Sequence, residues 1–478
     1  MVIAASLYLR RVTNLEYKTI LPAARAGRDS SVVTFAKVRT YQPWNRLPDL
    51  FPERQSHDWR TAERKRPREN GVLRTTTRAL PGHALRSNER FPAAARESRF
   101  GQCPEMYYAK LPLMDETAPL KPNNPDGDML WEFWYPALRS VQLRGRKLER
   151  AMLLDVPLAL GRDNAGKAFA LRDVCPHRAF PLSFGQFDGA NVECAYHGWQ
   201  FDAHTGQCRT IPSLMADSKL KCDRIFAGSF PCEERDGYLW VFMTNPEGRA
   251  PNVQPPPAPE LPTFSSGYKI AHLWADLPCS VDHGIIGLMD PAHGPFVHQA
   301  WWWRTRHSIR DKSKQFEPIP GGFRMSPHAP SANSAPYKIL KLITGEPATT
   351  MIDFVLPNQR FEQIRAGRYW LSSRTTVTPI RADLCRLDFC AAWNILPWFP
   401  IVSFIIEVLG PRFIRQDSEV IEKQSLGLKY ENRMMLVDDA DRQARWYFEL
   451  KAAHLESKRT GEPMRHPMNG PVILRWRS

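Results

Sequence analysis

Cys175-Pro176-His177-Arg178 and Cys194-Ala195-Tyr196-His197-Gly198-Trp199, with sixteen residues between His177 and Cys194, decide how this chain folds around its chemistry. Each block pairs one cysteine with one histidine. Such pairs suit two hairpin loops that face each other, with the thiolates meeting one metal ion and the imidazoles another. Thiolates suit iron in a sulfide cluster, and neutral imidazoles on the second iron raise its reduction potential well above that of an all-cysteine cluster, within reach of an ordinary ferredoxin. The competing reading is a structural zinc ion held by the same four side chains. Zinc fingers keep the cysteine pair and the histidine pair apart, whereas here each pair is mixed, which favours a [2Fe–2S] cluster. Cys208, Cys222 and Cys232 lie outside the ligand spacing and read as small apolar residues.

Outward from these loops, Ala151-Met152-Leu153-Leu154, Ala168-Phe169-Ala170-Leu171 and Gly237-Tyr238-Leu239-Trp240-Val241-Phe242-Met243 are short apolar runs. The last is aromatic and β-branched, as a buried strand should be. They predict a small antiparallel β domain over residues 126–248, closed by the turn Asn245-Pro246-Glu247-Gly248, after which the Pro-rich stretch Pro251 to Pro262 reads as a stiff linker. Residues 249–478 mix the two patterns: a helical motif over 282–300, strands at Thr350 to Leu356, Ser372 to Pro379 and Arg386 to Trp393, and a charged helical stretch over 412–455. The chain, at 478 residues, is long enough for two or three domains with cores of their own.

Residues 1–125 have a different texture. The formal net charge is +15, but residues 1–105 hold 20 Lys and Arg, 17 of them Arg, against 10 Asp and Glu, so that only +5 belongs to the remainder. Runs such as Arg64-Lys65-Arg66-Pro67-Arg68 are solvated whatever the fold. The segment reads as an unstructured extension or as an upstream start, with Met106, Met114 or Met129 as the true beginning. An organelle transit peptide would be poorer in acidic residues, and a nucleic-acid-binding arm is the lesser alternative; the uneven placement of the charge weakens a nucleic-acid or anionic-membrane reading of the rest of the chain. Nine cysteines without a secretory signal argue for reduced thiols in a cytoplasmic setting. The longest apolar region, Ile395 to Leu409, is interrupted by Pro397, Pro400 and Glu407, so it predicts a buried loop and helix, with peripheral contact to a membrane surface as the alternative.

A second motif lies at Asp290-Pro291-Ala292-His293-Gly294-Pro295-Phe296-Val297-His298. Its histidines fall within about one and a half helical turns of each other, next to a carboxylate. Two histidines with one carboxylate form the facial triad of non-haem Fe(II) oxygenases, which leaves coordination positions open. A helix that packs Asp290 as a cap and the histidines passively is the structural alternative. His272, His283 and His307 do not fit the spacing.

Together these residues resemble the Rieske-type non-haem iron oxygenases, the superfamily of ring-hydroxylating oxygenase alpha subunits. The resemblance rests on the Cys175/His177/Cys194/His197 spacing, on Cys-Pro-His-Arg and Tyr-His-Gly-Trp-Gln-Phe-Asp at the two loops, and on Gly206 and Ile211-Pro212 beyond them. It implies an α+β fold, an N-terminal Rieske antiparallel β domain plus a helix-grip-like catalytic domain. It implies a [2Fe–2S] cluster on Cys175, His177, Cys194 and His197, and mononuclear Fe(II) on His293, His298 and a late aspartate. Because the resemblance makes Asp290 a bridge and not a ligand, the carboxylate must come from far downstream, from among Asp383, Asp388, Asp417, Glu419 and Glu422, and the run Arg415 to Gln424, similar to the helix that delivers this aspartate in the single-component branch, selects Asp417. Asp290 becomes a bridge between an iron-bound histidine and a cluster histidine, His197, of a neighbouring subunit in a homotrimer.

The implied activity oxidises a C–H or C=C bond with O2, using electrons from a separate ferredoxin or ferredoxin reductase. No flavin, nicotinamide or plant-type ferredoxin pattern is visible in this chain. No cationic cluster flanks the second motif, which argues against a small polyanion. Trp301-Trp302-Trp303 and Ile395 to Leu409 suit an apolar ring system, or else are core. Pheophorbide oxygenases, O-demethylases and bacterial sterol C-4 demethylases are the relatives the C-terminal half resembles. They point first to a sterol or similar polycyclic lipid, then to a tetrapyrrole or methoxy-aromatic. A Rieske electron carrier without catalysis is the reading from another class.

Overall fold

The computed structural model describes residues 129–248, 254–299, 305–330, 335–398, 401–431 and 434–478. The expectations for residues 1–125 and for Trp301-Trp302-Trp303 therefore lie outside the described residues.

Three small antiparallel sheets occupy residues 133–243. One orders β1 (Phe133–Arg139), β11 (Tyr238–Met243) and β10 (Cys232–Arg235). The second orders β2 (Glu149–Leu153), β3 (Val156–Arg162), β4 (Ala168–Arg172) and β9 (Ser229–Phe230). The third orders β5 (Gln186–Phe187), β6 (Asn191–Glu193), β7 (Gln200–Asp202) and β8 (Cys208–Thr210). Every residue of β11 is buried, and the reason is visible in where alternate side chains go. Leu239, Val241 and Met243 enter the core of the first domain. Tyr238, Trp240 and Phe242 enter a second cluster shared with Trp370, Cys390 and Ala392 of the later sheet. A strand buried on both faces reads as an unbroken apolar run.

The later sheet has eight antiparallel strands: β12 (Lys269–Leu277), β13 (Asp311–Ile319), β14 (Gly322–His328), β15 (Thr349–Val355), β16 (Gln359–Ala366), β17 (Tyr369–Arg381), β18 (Leu384–Trp393) and β19 (Val472–Arg477). Their order is β12-β18-β17-β16-β15-β14-β13-β19. Against one face lie α1 (Val281–Met289), α4 (Ile401–Leu428) and α5 (Arg442–Thr460), between which come α2 (Gly294–Val297) and α3 (Ala335–Thr344). Ile285 of α1, Ile414 and Ile421 of α4 and Trp446 and Leu450 of α5 share one core with Phe316, Phe354 and Leu387 of the sheet. This is an α+β architecture in which the sheet grips its helices.

Several elements differ from expectation. The single helical motif over 282–300 is two helices, because Pro291 follows the C-cap Asp290 and stops α1. The helical stretch over 412–455 is also two, and the first begins at Ile401 and runs through Pro411. Ile395 to Leu409 is thus partly helix but not all buried, since Phe404 is 62% exposed and Val408 40%. The Pro-rich segment is less a free linker than a packed strap: Ala258 and Leu261 are buried, and Pro256 O accepts a 2.7 Å hydrogen bond from Trp134 Nε1. Beside it, buried Arg374 pairs with Asp236 at 2.8 Å and donates to Pro259 O. No helix of the described residues is long and apolar enough to cross a membrane.

Candidate metal centres

The loop after β4 carries Cys175 and His177, and the loop between β6 and β7 carries Cys194 and His197. The two loops close in the same way. Cys175 N–H donates to Phe180 O and receives at its own carbonyl from Ala179 N–H; Cys194 N–H donates to Trp199 O and its carbonyl receives from Gly198 N–H, all at 2.8–2.9 Å. Ala179 and Gly198, at matching places, both have positive φ. This turn leaves the N–H groups of His177 and Arg178 aimed at the Cys175 sulfur. Burial pushes the Cys175 thiol up to about 11, the Cys194 thiol beside it adds to this, and those N–H groups act the other way. Both cysteines are buried.

The imidazoles form the other half. His177 and His197 have ring centroids 4.4 Å apart at 63°, and Trp199 stacks on His177 at 4.7 Å and 6°. His177 Nδ1 is buried with no hydrogen-bond partner among the described residues. An orphaned imidazole nitrogen, two adjacent buried sulfurs and N–H donors directed at one of them fit a cluster better than they fit a dry core. Cys208 is buried, while Cys222 and Cys232 are half-buried, and their sulfur hydrogen bonds go to backbone carbonyls.

The second centre is assembled where α1 ends. Asp290 accepts from Ala292 N–H at 2.6 Å with one carboxylate oxygen and places the other 3.6 Å from His293 Nδ1. The Asp290 side chain thus braces the turn between α1 and the next helix and faces the histidine, but it caps neither helix, contrary to the structural alternative. His293 and His298 flank the short α2, whose Pro295 suits its first turn. Their Nε2 atoms lie 3.2 Å apart. From α4, more than a hundred residues on, Asp417 brings Oδ1 to 3.0 Å from His298 Nε2 and 3.8 Å from His293 Nε2. His293, His298 and Asp417 are the group that could hold a metal ion among the described residues, with ligand atoms all within 4.8 Å of one another. Burial alone would lower the His293 imidazole; Asp290, with Asp417, outweighs it and raises it.

The competing acids sit elsewhere. Asp383 is exposed beside Arg381, Asp388 is buried against Arg386 and Thr378, and Glu419 pairs with Arg415. On the same helix Ile421 is buried, whereas Val420 and Leu426 are exposed, so an apolar face through all three, which the sequence would suggest, does not form. His272 bonds the Asp236 carbonyl and His283 bonds Ser280, both away from the triad. Sequence reasoning missed Gln416, whose Oε1 lies 3.0 Å from His298 Nδ1, and Phe413, which stacks on the His298 ring. Both precede Asp417 within one helical turn, but only the phase of α4 shows that they reach His298.

The Rieske [2Fe-2S] domain family matches residues 133–223. Chlorophyllide a oxygenase, chloroplastic, of Chlamydomonas reinhardtii is 28% identical over 359 residues, 71% of this chain and 51% of that protein. 4beta-methylsterol monooxygenase of Methylococcus capsulatus is 32% identical over 139 residues, 29% of this chain and 36% of that protein. The chain spans about half, or less, of the length of these curated relatives. Among solved structures, dicamba monooxygenase bound to dicamba superposes with a TM-score of 0.54 at 22% identity, covering 68% of this chain and 98% of that one, which is a likeness of fold.

Proposed function

We propose that this chain, which carries a Rieske [2Fe–2S] domain and is a homologue of the Rieske oxygenases, oxidises an apolar ring compound at a mononuclear iron held by His293, His298 and Asp417. The convergence of these three side chains from two distant segments carries the proposal. A domain that only relays electrons has no need of it. The cluster, when bound, supplies one-electron transfer, and the mononuclear iron supplies activation of dioxygen.

The protein's own groups do the positioning. Asp290 holds His293 from the side opposite Asp417 and so fixes which nitrogen faces the centre. Phe413 covers one face of His298, which is 5% exposed, and keeps water from it. No hydrogen bond or ring contact joins residues 175–199 to residues 254–478 among the described residues, which supports Asp290 meeting a cluster histidine, His197, of another subunit. A homotrimer with a separate ferredoxin or reductase as donor belongs to the same proposal.

For the substrate, the names of the relatives support fused or substituted rings: a tetrapyrrole on the alignment that spans both domains, a methylated sterol on a shorter one. The sterol and tetrapyrrole classes stand together here, with hydroxylation and oxidative demethylation as the candidate outcomes. Quantification of iron and acid-labile sulfide tests the first step. About three iron and two sulfide per chain are expected; two iron would make the protein a carrier and end the proposal. Incubation with a compatible reductase and a panel of tetrapyrroles, sterols and aryl ethers, read by mass spectrometry for added oxygen or lost methyl, then identifies the class.

A further inference from the structure

One turn of α4 grips His298 on three sides. Phe413 stacks on the ring, with centroids 3.8 Å apart and planes at 15°. Gln416 Oε1 lies 3.0 Å from Nδ1, and Asp417 Oδ1 lies 3.0 Å from Nε2. Consecutive residues on a helix project about 100° apart, enough for neighbours to reach opposite edges of one imidazole.

A neutral imidazole has one N–H and one lone pair. An oxygen acceptor at Nδ1 places the hydrogen there and leaves the Nε2 lone pair directed at His293 and Asp417. We propose that Gln416 is a positioning residue of the mononuclear centre: its carboxamide oxygen holds His298 in the tautomer that offers Nε2 to a metal ion. This rests on reading His293, His298 and Asp417 as a metal centre. The opposite amide orientation makes a different prediction. There the Gln416 amide donates to Nδ1, the hydrogen moves to Nε2 and points at Asp417, and the three groups form a closed network with no lone pair for an ion. A carboxylate in place of the amide can only accept, so it separates the two.

The test uses full-length protein with its cluster intact, stripped of mononuclear metal and titrated with Co(II), whose visible d–d bands report both affinity and geometry. Gln416→Leu should weaken Co(II) binding about 10–100-fold, the usual loss when the partner of a metal-bound histidine is removed. Gln416→Glu should bind at least as tightly as the parent, with the same band pattern. Unchanged cluster absorbance shows that each variant is folded. Equal affinity in parent and Gln416→Leu overturns the role of Gln416, as does an equal loss in both variants. A parent that takes up no Co(II), or uptake that survives His293→Ala, overturns the metal centre itself, so the two failures are distinguishable.

Discussion

Ala179 and Gly198 occupy the same place in the two cluster loops, with φ of 57° and 69°, yet only glycine is at ease there. For a residue with a Cβ the left-handed region costs about 1–2 kcal/mol. Ala179→Gly should therefore stabilise the domain by roughly 1 kcal/mol, less what the freer unfolded chain takes back. Gly198→Ala should destabilise by about the same amount or more, since its new methyl would sit 3.1 Å from Pro212 Cγ. Denaturation midpoints followed through cluster absorbance should move in opposite directions; a shift of the same sign in both would show that the loops are not equivalent. Asp290→Asn keeps the acceptor for Ala292 N–H and removes the charge facing His293. Both metal complements should persist while turnover falls about 10–100-fold, and a normal rate would remove Asp290 from the path. The four candidate cluster ligands stood out in the sequence because their spacing is local and chemically unusual, and the structure sets them on two matching loops. Gln416 stood in the same quoted run as Asp417 and was not legible, because an amide becomes informative only once the helix phase sets it against an imidazole.

Helix α1 ends at the proposed metal centre, and its other end is anchored by an ion pair. Lys451 Nζ of α5 lies 2.9 Å from both oxygens of Asp282, and Tyr447 donates to the same carboxylate at 2.5 Å. Asp282 and Lys451 are both buried. Removing the cation alone leaves a desolvated carboxylate without its counter-charge, so Lys451→Met should cost about 3–5 kcal/mol by chemical denaturation. Replacing the pair together with the hydroxyl that donates to it, Asp282→Leu with Lys451→Met and Tyr447→Phe, should recover most of that loss, because a buried pair is often no better than well-packed apolar groups. A triple variant as unstable as the single one would show that the carboxylate has a further role in holding α1. The helices themselves were only partly legible. Pro291 marks a helix end by its missing N–H, but Pro411 lies inside α4, where Gly410 lets the helix approach Leu273 so closely that a Cβ would sit 2.3 Å from its Cδ1. Tertiary packing there overrides the local stop signal, which is why the helix begins well before the charged stretch suggested.

At the scale of the whole molecule, β11 sends alternate side chains into two cores and so fastens the first domain to the second. Buried Arg374 with Asp236, and half-buried Arg386 donating to the Pro136 carbonyl, add polar links across the same junction. None of this long-range pairing was legible from periodicity, nor was β19, which returns at the end of the chain to pair with β13. A first domain fixed in this way has little freedom to swing. Its cluster loops, whose Tyr196 is 53% and neighbouring Phe184 60% exposed, make no hydrogen bond or ring contact with the described residues of the second domain. If the loops cannot travel to Asp290 of their own chain, the proposed catalysis would require a ring of chains in which each cluster serves the next centre, the heterologous contact that closes on itself. Mixing tests this directly. A Cys175→Ser chain lacks a competent cluster, and an Asp417→Ala chain lacks a complete triad, so each alone should be inactive. Co-expressed in equal amounts, they should regain about a quarter of the parent rate, the chance that an intact cluster meets an intact triad across a random interface. Purified separately and kept as unmixed oligomers they should stay inactive. If the co-expressed protein is as dead as its parts, the electron path runs within one chain, and the fixed junction at β11 must open to allow it.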